Sequence, residues 1–201
     1  MAFRGWPTEA IRFFEGLEAD NSKAYWSAHK DEYEQCVRRP MAELLEELSA
    51  RYGEGRIFRP YRDVRFSRDK SPYRTNVAAT LSGGGYVRLD ADVLGVGAGI
   101  YMMSADQLAR YRAAVDDDAS GRELERIVAG LAEKGIEVSS HDVLKTAPRG
   151  YSRDHPRLGL LRQKDLVAWQ EWPVGDWIAT VEPKRRVVGF LRATTRLREW
   201  L

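Results

Sequence analysis

The hydrophobic period of this chain changes near Arg56, and that change restricts its fold more than any other feature. Before it, side chains recur at helical spacing. Ile11, Phe14 and Leu17 form one stripe, Trp26, His29, Tyr33 and Val37 a second, and Leu44, Leu45 and Leu48 a third. After it the spacing is that of strands. Val64 and Phe66 alternate with Asp63, Arg65 and Ser67, which predicts a strand with one polar face. Tyr73, Thr75, Val77, Ala79 and Leu81 alternate with Arg74, Asn76, Ala78 and Thr80. Tyr86 to Leu89 and Val93 to Met103 continue the series. The links between these segments are too short for parallel crossovers, so the strands form an antiparallel meander. The expected architecture is a single α+β domain with an antiparallel sheet of about four to six strands. Helices from both ends of the chain are expected to pack mainly on one face of that sheet.

Capping chemistry places the element boundaries. Thr8 follows Pro7 and opens the first helix, and Ser22 caps the second. Pro40 suits the first turn of a third helix or a kink, and Gly53 and Gly55 end it. Ser67 to Pro72 reads as a turn, and Gly83-Gly84-Gly85 as a tighter one. Ser104 with Gln107 fits a capping box, and Ser120 with Glu123 repeats it. Leu124, Ile127, Val128 and Leu131 give the helix after that a clean stripe. Short strands are expected at Ile136 to Val138 and Lys164 to Trp169, a short helix at Leu158 to Leu161, and a helical tail from Gly175 broken at Pro183. Gly95, Gly97 and Gly99 share one strand face, flat enough for close approach, with a helix the expected neighbour.

Composition excludes several function classes. With 201 residues, one compact domain is the default, and 43% hydrophobic content supplies its core. The 32 basic and 30 acidic residues leave a net charge of +2, so any basic surface must be local and nucleic acid is disfavoured as a partner. Cys36 is the only cysteine, which precludes an internal disulfide; beside Arg38 and Arg39 it reads as a packing residue. No window approaches the roughly 20 apolar residues of a membrane helix. The N-terminus lacks a signal-like apolar run. The expected location is cytoplasmic, with no membrane partner. His29, His141 and His155 lack paired metal-ligand spacing, and no phosphate-loop or nucleophile-elbow motif is present, so neither a metal nor a cofactor is expected.

One segment stands apart. Arg62 to Thr75 holds Arg62, Arg65, Arg68, Lys70 and Arg74 within thirteen positions, with Ser67, Ser71, Tyr73 and Thr75 among them. Across residues 56–74, seven basic and two acidic residues give a local charge of +5. Such a cluster can hold phosphate or carboxylate, with arginine supplying bidentate geometry. On a strand, Arg65 would share the polar face with Asp63 and Ser67. Lys70, Arg62 and Arg74 would join it only through the shape of the Ser67 to Pro72 turn. The competing reading is a scaffold in which Asp63 and Asp69 already neutralise Arg65 and Lys70. His29 reads first as a hydrogen-bonded core residue and second as an acid/base group beside the basic hairpin. Arg149 would extend the anion site if the Pro148 to Pro156 loop folded over it. Trp169, Trp172, Trp177 and Trp200 read as packing residues rather than a base-stacking platform.

Several stretches together carry a resemblance. Trp26-Ser-Ala-His-Lys-Asp-Glu-Tyr33 with Val37-Arg-Arg-Pro-Met41, the Arg62 to Thr75 segment, Gly97-Ala-Gly-Ile-Tyr-Met102 and Pro148-Arg-Gly-Tyr-Ser-Arg-Asp-His-Pro156 resemble an uncharacterised family of bacteria and fungi. That family is catalogued as domain of unknown function 2461. The resemblance implies an α+β fold and no particular reaction. The functional expectation is therefore a binder of a small phosphorylated or carboxylate ligand, with or without catalysis, using Arg62, Arg65, Ser67, Lys70, Arg74 and Arg149. A non-catalytic scaffold or protein-interaction module stands as the alternative.

Overall fold

A computed structural model describes residues 2–65 and 67–201. The chain divides into two compact units, Met1–Val96 with Glu171–Phe190, and Gly97–Gln170 with Leu191–Leu201. The strands form one six-stranded antiparallel sheet in the order β1-β2-β3-β4-β6-β5, which makes the fold α+β. Among the described residues, no helix is long and apolar enough to cross a membrane.

The first unit opens with α1 (Thr8–Ala19), which buries Ala10, Ile11, Phe13, Phe14 and Leu17. Pro7 precedes it in extended conformation, where a missing N–H costs nothing. The Ser22 hydroxyl accepts the Tyr25 N–H at 3.1 Å and starts α2 (Lys23–Glu32). The helix widens into a π-helical segment, Tyr33–Arg38, before α3 (Arg39–Tyr52). Pro40 occupies the first turn of α3, where its ring and missing donor are tolerated. Gly53, at φ 82°, ends the helix.

β1 (Gly55–Ile57) pairs with β2 (Val77–Leu81), and β2 with β3 (Gly85–Leu89), both antiparallel. The β2–β3 register sets Leu81 opposite Gly85, so Ser82, Gly83 and Gly84 make the connection. Gly84 takes φ 88° there, the left-handed step that a three-residue hairpin loop requires. Val87 and Leu89 are buried while Tyr86 and Arg88 are half-buried, as the alternation predicts. A 3-10 turn at Asp176–Ala179 and most of α7 (Glu182–Ala193) complete this unit, with Pro183 in the first turn of α7 rather than breaking a helix.

β4 (Val93–Ile100) begins in the first unit and ends in the second, and β6 (Leu166–Pro173) does the reverse. In the second unit, α4 (Ala105–Asp116) carries both halves of the expected Ser104/Gln107 capping box. The Ser120/Glu123 box does not form. Asp117 caps α5 (Asp118–Ala132) instead, accepting the Ser120 N–H at 2.9 Å, because α4 and α5 nearly abut and leave no turn before Ser120. Arg157 secures this junction. Its nearly buried guanidinium donates to the Val115 carbonyl at 2.6 Å and, through one nitrogen, to the Asp116 carbonyl and Asp118 carboxylate at 2.9 Å each. β5 (Glu137–Ser139), α6 (Leu158–Leu161) and α8 (Thr195–Trp200) complete the unit.

Two further sequence expectations change here. The strand expected over Asp63 to Ser67 is absent from the described residues; Asp63, Val64, Arg65 and Ser67 are irregular, and Tyr61 and Tyr73 form an isolated antiparallel bridge. The predicted inward-facing Phe66 lies outside the described residues. At Gly97 and Gly99 the glycine face of β4 meets β6 rather than a helix. A Cβ at Gly97 would lie 2.9–3.0 Å from the Trp169 ring, and one at Gly99 would fall against the Leu166 carbonyl oxygen. Gly99 also adopts φ 130°, which side-chain-bearing residues rarely take. Gly99→Ala therefore costs about 1–3 kcal/mol, from backbone strain and a clash that cannot relax. Gly97→Ala costs less, because a ring can shift. Chemical denaturation of the two variants checks the order.

Candidate functional site

The basic segment is a loop closed at its base by backbone hydrogen bonds. The Arg62 N–H donates to the Pro72 carbonyl and the Arg74 N–H to the Pro60 carbonyl, both at 2.8 Å, bracketing the Tyr61–Tyr73 bridge. Two features of the helical layer grip this base. The Asn21 amide donates to the Tyr73 carbonyl at 3.2 Å and accepts the Tyr73 N–H at 3.0 Å. This side chain thus supplies both bonds that a neighbouring strand residue would make. The Trp26 ring stacks on Tyr73 at 4.5 Å with 8° between planes, and Tyr61 leans on both rings. Phe13 and Tyr33 continue this aromatic cluster inward, and burial pushes the Tyr33 hydroxyl up to about 12.

Above its base, the loop is held by its own polar groups. Asp69 accepts from the Ser71 N–H at 2.9 Å and from the Arg62 guanidinium. The Arg62 guanidinium first, then the Ser71 hydroxyl and N–H, hold its carboxyl far below the ordinary aspartate value. Asp63 receives Arg65 in a bidentate pair at 2.7 and 2.9 Å, which likewise lowers the Asp63 carboxyl. The Lys70 ammonium donates to the Val64 carbonyl at 3.0 Å, and the half-buried Ser67 donates its N–H to the same oxygen.

A cleft of about 280 Å³ opens beside the base of this loop, lined by Glu18, Asn21, Arg62, Asp69, Ser71, Tyr73, Arg74, Thr75 and Asn76. Of the cations expected at a site, Arg62 and Arg74 therefore come together. Arg65, Ser67 and Lys70 are not part of this lining, because the turn follows the Asp63 and Val64 contacts rather than strand parity. The Arg74 guanidinium is exposed and has no hydrogen-bond or ion-pair partner among the described residues. At the end of α1, Glu18 likewise has no such partner among them. Its carboxyl is raised above the ordinary glutamate value by partial burial first, then by Asp92, Asp90 and Glu15.

The remaining sequence candidates stand elsewhere. His29 lies on α2, stacked on the Tyr25 ring at 4.0 Å, with Nδ1 2.9 Å from the Tyr25 carbonyl. A carbonyl only accepts, so Nδ1 carries the proton. His29 is not among the cleft-lining residues. Arg149 belongs to the second unit, on an exposed turn where the Tyr151 N–H donates to the Pro148 carbonyl at 3.2 Å. His155 has both nitrogens engaged: Nδ1 accepts the Arg157 N–H at 3.0 Å and Nε2 faces Asp116 at 3.1 Å. It is a structural link, with no lone pair left for base chemistry. The half-buried Cys36 lies in the π-helical segment, where burial first, then Glu32 and Glu9, push its thiol up. Among the described residues, no cluster of histidine, cysteine or carboxylate side chains could hold a metal ion.

Glu18, Asn21 and Asn76 are the lining residues that sequence reasoning missed. Asn21 reads locally as a helix break, and nothing in the sequence points from it to a residue 52 positions away. A family model described as "Conserved hypothetical protein (DUF2461)" matches residues 9–200, and the chain belongs to this family. No curated protein matches the chain.

If Asn21 carries the loop base, Asn21→Ala leaves the Tyr73 N–H and carbonyl without partners in a part-buried position. The expected loss is about 1–3 kcal/mol, with faster proteolysis between residues 62 and 72. Thermal melting and limited trypsin digestion measure both effects; an unchanged melt together with unchanged cleavage refutes the assignment.

Proposed function

We propose that this protein binds a small anion, a phosphate or carboxylate group, in the cleft beside its basic loop. The observation that carries the reading is the convergence of Arg62 and Arg74 on one concave surface, with Arg74 unpartnered among the described residues. Around them stand two neutral polar side chains, the Thr75 hydroxyl and the Asn76 amide, while the Ser71 hydroxyl is turned to Asp69. Arg62 directs one guanidinium nitrogen to Asp69, which fixes the orientation of its planar fork. Arg74 then supplies the uncommitted charge, and hydrogen bonds to charged groups are the stronger kind.

A second reading, a scaffold or interaction module without ligand, is favoured by the internal pairing of Asp63 with Arg65 and of Asp69 with Arg62. Calorimetric titration with sulfate separates the two. Sulfate is expected to bind wild type. Arg74→Ala is expected to weaken it about tenfold or more, and Arg65→Ala to leave it nearly unchanged. Absence of sulfate, phosphate and carboxylate binding to wild type would favour the scaffold. Equal damage from both variants would move the site away from the cleft.

The pH dependence follows from Glu18. An ionised Glu18 repels an anion in the same cleft, whereas its protonated form is neutral and can donate. A bound anion disfavours the ionised carboxylate, so sulfate binding draws a proton onto Glu18, whose carboxyl is already raised above the ordinary value. Sulfate affinity is expected to rise as pH falls from neutral through the Glu18 range. Sulfate itself does not titrate there. In Glu18→Gln the rise is expected to flatten, and a wild-type slope retained in that variant would rule Glu18 out as the cause.

A further inference from the structure

We propose that the natural ligand of this cleft is a small zwitterion, carrying one phosphate or carboxylate group and one ammonium group on the same free molecule. The inference rests on the anion-binding reading above and adds the second charge. The lining contains two cations, Arg62 and Arg74, and two carboxylates, Glu18 and Asp69. Asp69 is committed to Arg62 and to the Ser71 N–H. Arg74 and Glu18 remain, one of each sign, and neither has a hydrogen-bond or ion-pair partner among the described residues. Opposite charges that line one cleft without pairing to each other are complementary to a ligand that presents both charges.

The surroundings of Glu18 strengthen the assignment. Asp92, Asp90 and Glu15 all place negative potential on it. Asp90 is itself occupied, accepting the N–H groups of Asp92 and Val93 at 3.0 and 2.8 Å and pairing with Arg88 at 3.2 Å. An ammonium group beside Glu18 would relieve this concentration of like charge. A second phosphate there would add to it, so polyphosphates suit the cleft poorly despite the basic loop. At about 280 Å³ the cleft lies near the lower end of ligand-pocket volumes, which fits a molecule of amino-acid size.

Matched probes test this by titration calorimetry at neutral pH. Taurine is compared with isethionate, and O-phosphoethanolamine with 2-hydroxyethyl phosphate; within each pair only the ammonium is replaced by a hydroxyl. The amine member is expected to bind about fivefold tighter or more, the worth of one favourable partly exposed ion pair. Glu18→Gln, checked for an unchanged melt, should remove that preference while preserving or improving binding of the hydroxyl member. Equal affinities within each pair overturn the zwitterion and leave the anion site standing. Absence of binding by all four probes overturns both. Sedimentation with phosphatidylethanolamine vesicles beyond that with phosphatidylglycerol vesicles would assign the same chemistry to a lipid headgroup and overturn the free-molecule assignment.

Discussion

The candidate site depends on one amide. Asn21, in the turn between α1 and α2, makes both backbone hydrogen bonds that Tyr73 would otherwise have made to a neighbouring strand. Among the described residues, the loop from Arg62 to Pro72 has no ladder of its own above the Tyr61–Tyr73 bridge, so they do not take their position from the sheet. They take it from the helical layer, through this amide and the Trp26–Tyr73 stack. A directional polar contact fixes register, and the flat ring contact supplies buried apolar area. Together they set Arg74, the next residue, at the edge of the cleft.

Above this base the basic loop is less basic than its composition suggests. Arg62 and Arg65 each face an aspartate of the same loop, and Lys70 covers the Val64 carbonyl. These pairs are exposed, and exposed pairs contribute little to stability. Their consequence is geometric. They shape the turn and engage Arg65 and Lys70 within the loop, leaving Arg74 as the unpartnered cation of the cleft lining among the described residues.

Much of the fold was legible because it rests on local pattern. The stripes of α1 and α3, the Ser104 box and the glycine turn after Leu81 each depend on residues within a few positions of one another. Two readings failed where local pattern met a tertiary constraint. Val64 and Arg65 alternate as a strand would, yet the Arg65 N–H and guanidinium turn back to the Asp63 carboxylate instead of a neighbouring strand. Ser120 looked like a helix start, but α5 starts at Asp118 because Arg157, about 40 residues away, binds the ends of both helices. The site was half legible: charge drew attention to Arg62 and Arg74, while Glu18 and Asn21 enter through chain reversals that no spacing records.

Two arginines of this chain stand at opposite extremes of partnership. Arg157 is nearly buried and donates to two helix-end carbonyls and a carboxylate. Removing it would strand those acceptors, so its chemistry is spent on holding α4 to α5. A Cβ at Gly121 would collide with both the Val115 carbonyl and the Arg157 guanidinium, which shows how closely the chain is built around that side chain. Arg74 is the reverse case: exposed, on a loop held rigid from below, and facing Glu18's cleft without a protein partner among the described residues. No fold contact accounts for its charge. A cation fixed at its backbone yet unmatched at its tip would suit an anion that arrives from solution: Asn21 and Trp26 have already ordered the backbone, so the ordering entropy lost on binding would be confined to the Arg74 side chain.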